Sequence, residues 1–171
     1  MRLPMAATVL ATISLCACES GGGSPTAPVG PVTTRGVIFS PAVPGDAAIA
    51  LRSTAGGSTL EIEVYAVGVD DLYGLSFELR FPADLLRYES HGRGVFPSLE
   101  AGEAGVGRLL VGATHLGPVV GLSGGGTIVV VRFSAIANGN GRLDFSGEEA
   151  FDSYGDRLAL SWHGGTVSID L

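Results

Sequence analysis

Apolar and polar residues alternate with a period of two along much of this chain. Leu60, Ile62, Val64 and Ala66 are interleaved with Glu61, Glu63 and Tyr65. Leu75, Phe77, Leu79 and Phe81 are interleaved with Ser76, Glu78 and Arg80. Successive side chains of a strand point to opposite faces, so this period predicts strands with one face buried and one solvated. Thr127 to Phe133 is a β-branched run, apolar on both faces, and suits a central strand. Leu143 and Phe145 flank Asp144, while Leu158, Leu160 and Trp162 share a face. Val167, Ile169 and Leu171 close the pattern. Between these runs stand turn formers: Pro44-Gly45-Asp46, Ala55-Gly56-Gly57 and Asn138-Gly139-Asn140-Gly141, the last reading as a hairpin. Pro82 to Leu86 reads as one helical turn. No stretch sustains a 3.6-residue apolar period. Many short strands joined by Gly-rich turns predict an all-β sandwich.

The first 35 residues follow other rules. Arg2 precedes an apolar run from Met5 to Leu15 that is shorter than the roughly 20 residues a membrane span needs. Such a run has the form of a signal peptide. Leu15-Cys16-Ala17-Cys18 resembles a bacterial lipobox, with Ala17 in the small-residue position before the cut; at Cys16 that position would hold Leu15. The expected organisation is a lipoprotein signal peptide over 1–17, a lipidated Cys18 opening a tether over 18–35, and a folded domain over 36–171. Acyl chains anchor by burying methylenes, and stable attachment takes more than one chain. The tether is dominated by Gly, Ser, Pro and Thr and would average roughly 23 Å end to end. Glu19 after the lipidated position favours, by resemblance to enteric lipoprotein sorting, the outer membrane, with the domain facing the periplasm or the cell surface.

Charge and cysteine usage narrow the chemistry. Ten arginines and no lysine stand against 17 acidic residues. An acidic body repels phosphate backbones, so nucleic acid is not an expected partner. The absence of lysine excludes a P-loop or Schiff-base lysine. Both cysteines, Cys16 and Cys18, precede the folded domain, so the domain has no disulfide and no thiol chemistry. His91, His115 and His163 lack paired ligand spacing, and neither Asp70-Asp71 nor Asp152 to Asp156 has the spacing of a calcium loop. No metal or cofactor is expected. Gly121-Leu122-Ser123-Gly124-Gly125 matches the nucleophile-elbow pattern, and Asp152 or Asp156 and then His163 follow in hydrolase order. The elbow, however, needs a helix after the serine, and here a β-branched strand follows.

From about Val37 onward the order of features resembles a cohesin-like domain. The match is carried by Leu72-Tyr73-Gly74-Leu75-Ser76-Phe77-Glu78-Leu79-Arg80-Phe81-Pro82-Ala83-Asp84-Leu85-Leu86 and by Gly124-Gly125-Gly126-Thr127-Ile128-Val129-Val130-Val131-Arg132-Phe133. The Pro44-Gly45-Asp46 turn and the closing Gly164 to Ile169 also fit. Cohesins often carry Asn and Asp where this chain has Gly74 and Ser76, and an Asp-Pro turn where it has Pro82-Ala83-Asp84. The resemblance implies a jelly-roll sandwich of about nine strands and a non-catalytic role in binding dockerin-like protein modules. The expected binding face is Ser76, Glu78 and Arg80, which alternate outward from a core-facing row, with Tyr65 as a further exposed aromatic. The alternatives are a polysaccharide-binding lipoprotein linked to polysaccharide breakdown, more remotely a serine hydrolase at Ser123, and a purely structural envelope protein. Trp162, in register with Leu158 and Leu160, is expected in the core and not on a sugar platform.

Overall fold

A computed structural model describes residues 36–53 and 57–171. The expectations for 1–35, including cleavage after Ala17, acylation of Cys18 and the tether, lie outside the described residues.

The described chain is a two-sheet jelly-roll sandwich of eleven strands. β1 (Gly36–Pro41), β2 (Ala48–Ser53) and β3 (Thr59–Leu72) lead into β4 (Gly74–Arg80), β5 (Leu86–Arg93) and β6 (Ser98–Gly105). β7 (Arg108–Thr114), β8 (Leu122–Ala135), β9 (Gly139–Phe151), β10 (Ser161–His163) and β11 (Gly165–Asp170) follow. One sheet has six strands in the order β1-β11-β9-β4-β7-β6, the other five in the order β10-β2-β3-β8-β5. All neighbours are antiparallel except β10 and β2.

The two-residue alternation maps onto this architecture. Leu60, Ile62, Val64 and Ala66 of β3 face Leu75, Phe77 and Leu79 of β4 across one core, joined by Val129, Val131 and Phe133 of β8. Rings interlock at its centre: Phe77 meets Phe145 edge-on at 5.2 Å and lies 5.6 Å from Trp162, which itself meets Phe145 at 5.2 Å. Trp162 therefore packs half-buried against the core, on the side its spacing predicts, although Leu158 and Leu160 reach the core from a loop and not from a strand. The helical turn at Pro82 is present as a single turn, with the Leu85 and Leu86 amides donating to the Pro82 carbonyl at 3.0 and 2.8 Å.

Two expectations need correction. The strand count is eleven, not about nine. Among them are the largely polar edge strands β5 and β6, which bury little beyond Leu86, and the three-residue β10. Asn138-Gly139-Asn140-Gly141 is not a hairpin. β8 and β9 lie in different sheets, and Gly139 to Gly141 begin β9 beside β11. Gly141 is there because of crowding: a Cβ at this position would lie 2.5 Å from Cγ of Pro82. The helical turn after β4 presses on the start of β9, and only glycine leaves room.

Candidate functional site

β4 lies in the middle of the six-stranded sheet, between β9 and β7. Its inward residues belong to the core, so Gly74, Ser76, Glu78 and Arg80 face outward. Register extends that row. Across β7, Ser76 stands opposite Gly112, Glu78 opposite Leu110 and Arg80 opposite Arg108. One strand further, Glu100 of β6 stands opposite Gly112, and Gly102 opposite Leu110. On the other flank, Glu149, Ser146 and Asp144 of β9 stand opposite Ser76, Glu78 and Arg80. The sandwich thus brings Ser76, Glu78 and Arg80 onto one surface and adds residues from three further strands.

Electrostatics organise one part of this surface. Glu78 accepts from Arg108 Nη2 at 2.6 Å and Nε at 2.9 Å, from Arg80 Nε at 3.1 Å and from Ser146 Oγ at 3.1 Å. The Arg108 guanidinium, with help from Arg80 and Ser146, holds the Glu78 carboxyl below its ordinary range. The same pairing raises Arg108. Arg142 and Asp144 form a second pair next to Arg80, at 2.9 Å.

Shape organises the other part. Ser76, Glu100, Gly102, Glu103, Leu110 and Gly112 line a shallow hollow of about 640 Å³. A second hollow of about 410 Å³ adjoins it over Gly74, Ser98 and Thr114, sharing Ser76, Glu100 and Gly112. The floor is low because Gly102 and Gly112 have no side chains, and the fold demands neither glycine. Neither has a positive φ, and a Cβ at either would meet no atom within 4 Å. Most other described strand glycines are held by a left-handed backbone or by a close neighbour. Gly92 comes nearest to these two, and it touches Val130 at 4.0 Å. Leu110 projects half-exposed at the edge of this floor.

Periodicity pointed to Ser76, Glu78 and Arg80 but not to Arg108, Leu110, Gly112 or Glu100. The apolar triplet Leu109-Leu110-Val111 hides the alternation of β7. Only Leu109 and Val111 are buried, and that contrast is the signal that would have revealed the outward row.

Tyr65 is not part of this surface. It lies on the outer face of the five-stranded sheet, where the Arg52 guanidinium sits 4.7 Å from the centre of its ring. Arg52 is in turn paired with Glu63 at 2.5 Å. A hollow of about 380 Å³ beside Tyr65 is floored by Gly124, Gly125 and Gly126. A Cβ at Gly125 would lie 2.7 Å from the Ala66 carbonyl, so packing dictates that glycine.

Ser123 stands in β8 with strand continuing after it. Its hydroxyl donates to Asp70 Oδ1 at 2.9 Å and accepts from the Asp71 amide at 3.1 Å. These contacts brace a corner and involve no imidazole. The two acidic pairs are brought together: Asp71 Oδ1 accepts from the Gly121 amide at 2.5 Å, and Oδ2 accepts from Ser153 Oγ at 2.6 Å. Asp152 Oδ1 folds its own loop by accepting from the Tyr154 and Asp156 amides at 2.9 and 2.8 Å. Among the described residues no group of three or more His, Cys, Asp or Glu side chains converges on a metal position.

No protein-family model matches the sequence, and no curated protein matches it closely. Solved structures do match. A cohesin of the scaffoldin B of Acetivibrio cellulolyticus, solved in complex with a Cel5 dockerin, superposes with a TM-score of 0.64 at 16% identity. That match covers 74% of this chain and 99% of the other. A type I cohesin–dockerin complex from Clostridium thermocellum gives 0.63 at 13% identity, covering 73% and 99%. A non-cellulosomal cohesin from the archaeon Archaeoglobus fulgidus gives 0.59 at 20% identity, covering 71% and 89%. The described chain has the cohesin fold.

Proposed function

We propose that this chain is a non-catalytic binding module that captures a protein through the outer face of β9, β4, β7 and β6. The observation that carries this reading is the hollow around Gly102 and Gly112. Glycine inside a strand weakens it and often marks a place where another backbone approaches closely. Here two glycines that the fold does not need adjoin a fixed charge cluster at Glu78, Arg80 and Arg108. The first supplies shape and the second supplies charge and register, the two components of specific recognition. Two of the structurally similar cohesins were solved with dockerins bound, which favours a dockerin-like module as the partner.

A Cys18 anchor would present this face outside the cytoplasm, at the outer membrane, on the 18–35 tether. Intact mass of the protein from its native envelope tests that part: loss of 1–17 together with an acyl adduct supports it, and an unmodified Cys18 opposes it. The polysaccharide reading has less support. Tyr65 lies under Arg52, the Tyr73 hydroxyl is bonded to the Gly117 carbonyl at 2.6 Å, and Trp162 packs half-buried against the core, which leaves Tyr154 as a single exposed ring and not a platform.

The deciding experiment is calorimetric titration of the full-length chain with a panel of dockerin modules, beginning with a Cel5 dockerin, alongside sedimentation with insoluble cellulose and xylan. Saturable dockerin binding that is lost in Ser76→Arg supports the proposal. Retention on polysaccharide with no dockerin bound overturns it.

A further inference from the structure

One pole of the sandwich carries large apolar side chains that the fold leaves in solvent. Leu116, Val119 and Val120 on the loop between β7 and β8 are 65%, 48% and 81% exposed, and Tyr154 on the loop between β9 and β10 is 88% exposed. These loops are braced against each other. The Asp71 carboxylate, on a residue with φ of 53°, bridges the Gly121 amide and the hydroxyl and amide of Ser153. Val120 and Tyr154 are each the chain neighbour of a residue bonded to that carboxylate. Tyr73 fixes the same loops from beneath, since its hydroxyl donates to the Gly117 carbonyl, its amide donates to the Phe151 carbonyl at 2.8 Å, and its carbonyl accepts from the His115 amide at 2.8 Å. Apolar groups on a braced scaffold lose little freedom when they are covered, which favours binding.

Charge and topology select the occupant. Segments 70–73, 115–121 and 152–160 hold four aspartates and one arginine, Arg157, whose charge is already paired with Glu149. Two copies of this pole would set aspartates against aspartates, and an anionic lipid surface would be repelled as well. Gly36, where the described chain begins, lies beside Asp170 at the other pole. The 14 residues of β3 separate the two ends by roughly 46 Å at about 3.3 Å per residue. A domain tethered through Gly36 would therefore point this pole away from its attachment. We infer that the pole formed by Leu116, Val119, Val120 and Tyr154 is a second docking surface, separate from the β4 face, and that it takes a basic, amphipathic protein segment. Such a segment lays its apolar side on the exposed loop residues and its cations on the surrounding carboxylates.

The test uses the full-length chain with Cys18→Ser, so that no acyl group competes. The probe is a fluorescein-labelled 14-residue peptide of leucine and lysine in amphipathic helical spacing, with a leucine–glutamate peptide as control. Anisotropy should show saturable binding of the first peptide only. Val120→Asp and Tyr154→Asp, both at largely exposed positions, should each weaken it at least tenfold, while Leu110→Asp on the β4 face leaves it unchanged. The proposal is overturned if the leucine–lysine peptide does not bind, or if Leu110→Asp removes binding as fully as Val120→Asp. It is equally overturned if Val120→Asp instead abolishes adsorption to phosphatidylcholine–phosphatidylglycerol vesicles or self-association in sedimentation velocity.

Discussion

Replacing Gly112 with valine should make this domain more stable and less able to bind, and the opposing signs are diagnostic. Gly112 lies within β7, opposite Ser76 of β4 and Glu100 of β6. A Cβ there meets nothing within 4 Å, and the backbone is not left-handed, so valine introduces neither clash nor strain. Removing the glycine lowers the entropy of the unfolded chain, and a β-branched residue suits a pleated surface. Together these should add about 0.5–1 kcal/mol. For a domain of this size that is a rise of about 2–4 °C in melting temperature. The same side chain fills the floor of the 640 Å³ hollow, so an approaching partner meets an isopropyl group where it met backbone. A tenfold or greater loss of dockerin affinity is the expected cost. Stability is read by urea denaturation followed through Trp162, the only tryptophan, whose ring contacts Phe77 and Phe145 and so reports the core. Binding is read by calorimetry on the same samples. A fall in stability would mean the glycine serves the fold, and unchanged affinity would mean the hollow is not the contact; either result refutes the reasoning.

Four further outcomes can be measured. Phe77→Ala, at a fully buried ring in contact with two others, should cost about 3–5 kcal/mol and shift the urea midpoint with little change in slope. Gly141→Ala should destabilise by about 1–3 kcal/mol because its Cβ would sit 2.5 Å from Pro82, and an unchanged melting temperature would show that the Pro82 turn can move away. Glu78 has a lowered folded-state pKa, so its contribution to stability is present above the ordinary value of 4.5 and is lost as pH falls through the lowered one. Thermal melts of the wild type and Glu78→Gln should therefore differ at neutral pH and converge in acid; a gap independent of pH contradicts the Arg108 pairing. Asp71→Asn keeps a side chain that tolerates the left-handed backbone but removes the charge, and should speed hydrogen exchange at the amides of Gly121 and Ser153 without unfolding the core.

How much of this was legible in the sequence depends on whether a residue's environment is made locally. β3 and β4 could be read because each buries one face, and burial imposes alternation on the residues themselves. β5 and β6 could not, because edge strands with little buried area carry no such mark. The β4 row of Ser76, Glu78 and Arg80 could be inferred from its own strand, but its partners on β6, β7 and β9 depend on strand order and register, which no local pattern encodes. Tyr65 shows the reverse error. Its period correctly placed it outward, but outward from the other sheet. The Asn138 to Gly141 stretch misled because turn-forming residues also appear where space is short, and there it was Pro82 and Leu85 that required small residues.

Glycine supplies the last step. A domain whose described residues include no cysteine must hold itself together by packing, and each needless strand glycine lowers its stability by roughly 0.5–1 kcal/mol relative to alanine. Most strand glycines answer a structural demand, as Gly141 does against Pro82 and Gly165 does against the Phe39 ring, 2.3 Å from its would-be Cβ. Gly102 and Gly112 answer none. They stand on adjacent strands of one face, diagonally across from each other, beside Ser76 and near an ordered pair of arginines on Glu78. Gly92, on the other sheet, is also held by no more than an ordinary 4.0 Å contact, but Gly102 and Gly112 lie together next to charges already fixed in place, and on the binding proposal that surface gives up stability for access. That trade is what a backbone-hugging partner requires, and it is why Gly112, not any of the charged residues, is the position at which the binding proposal is most exposed to disproof.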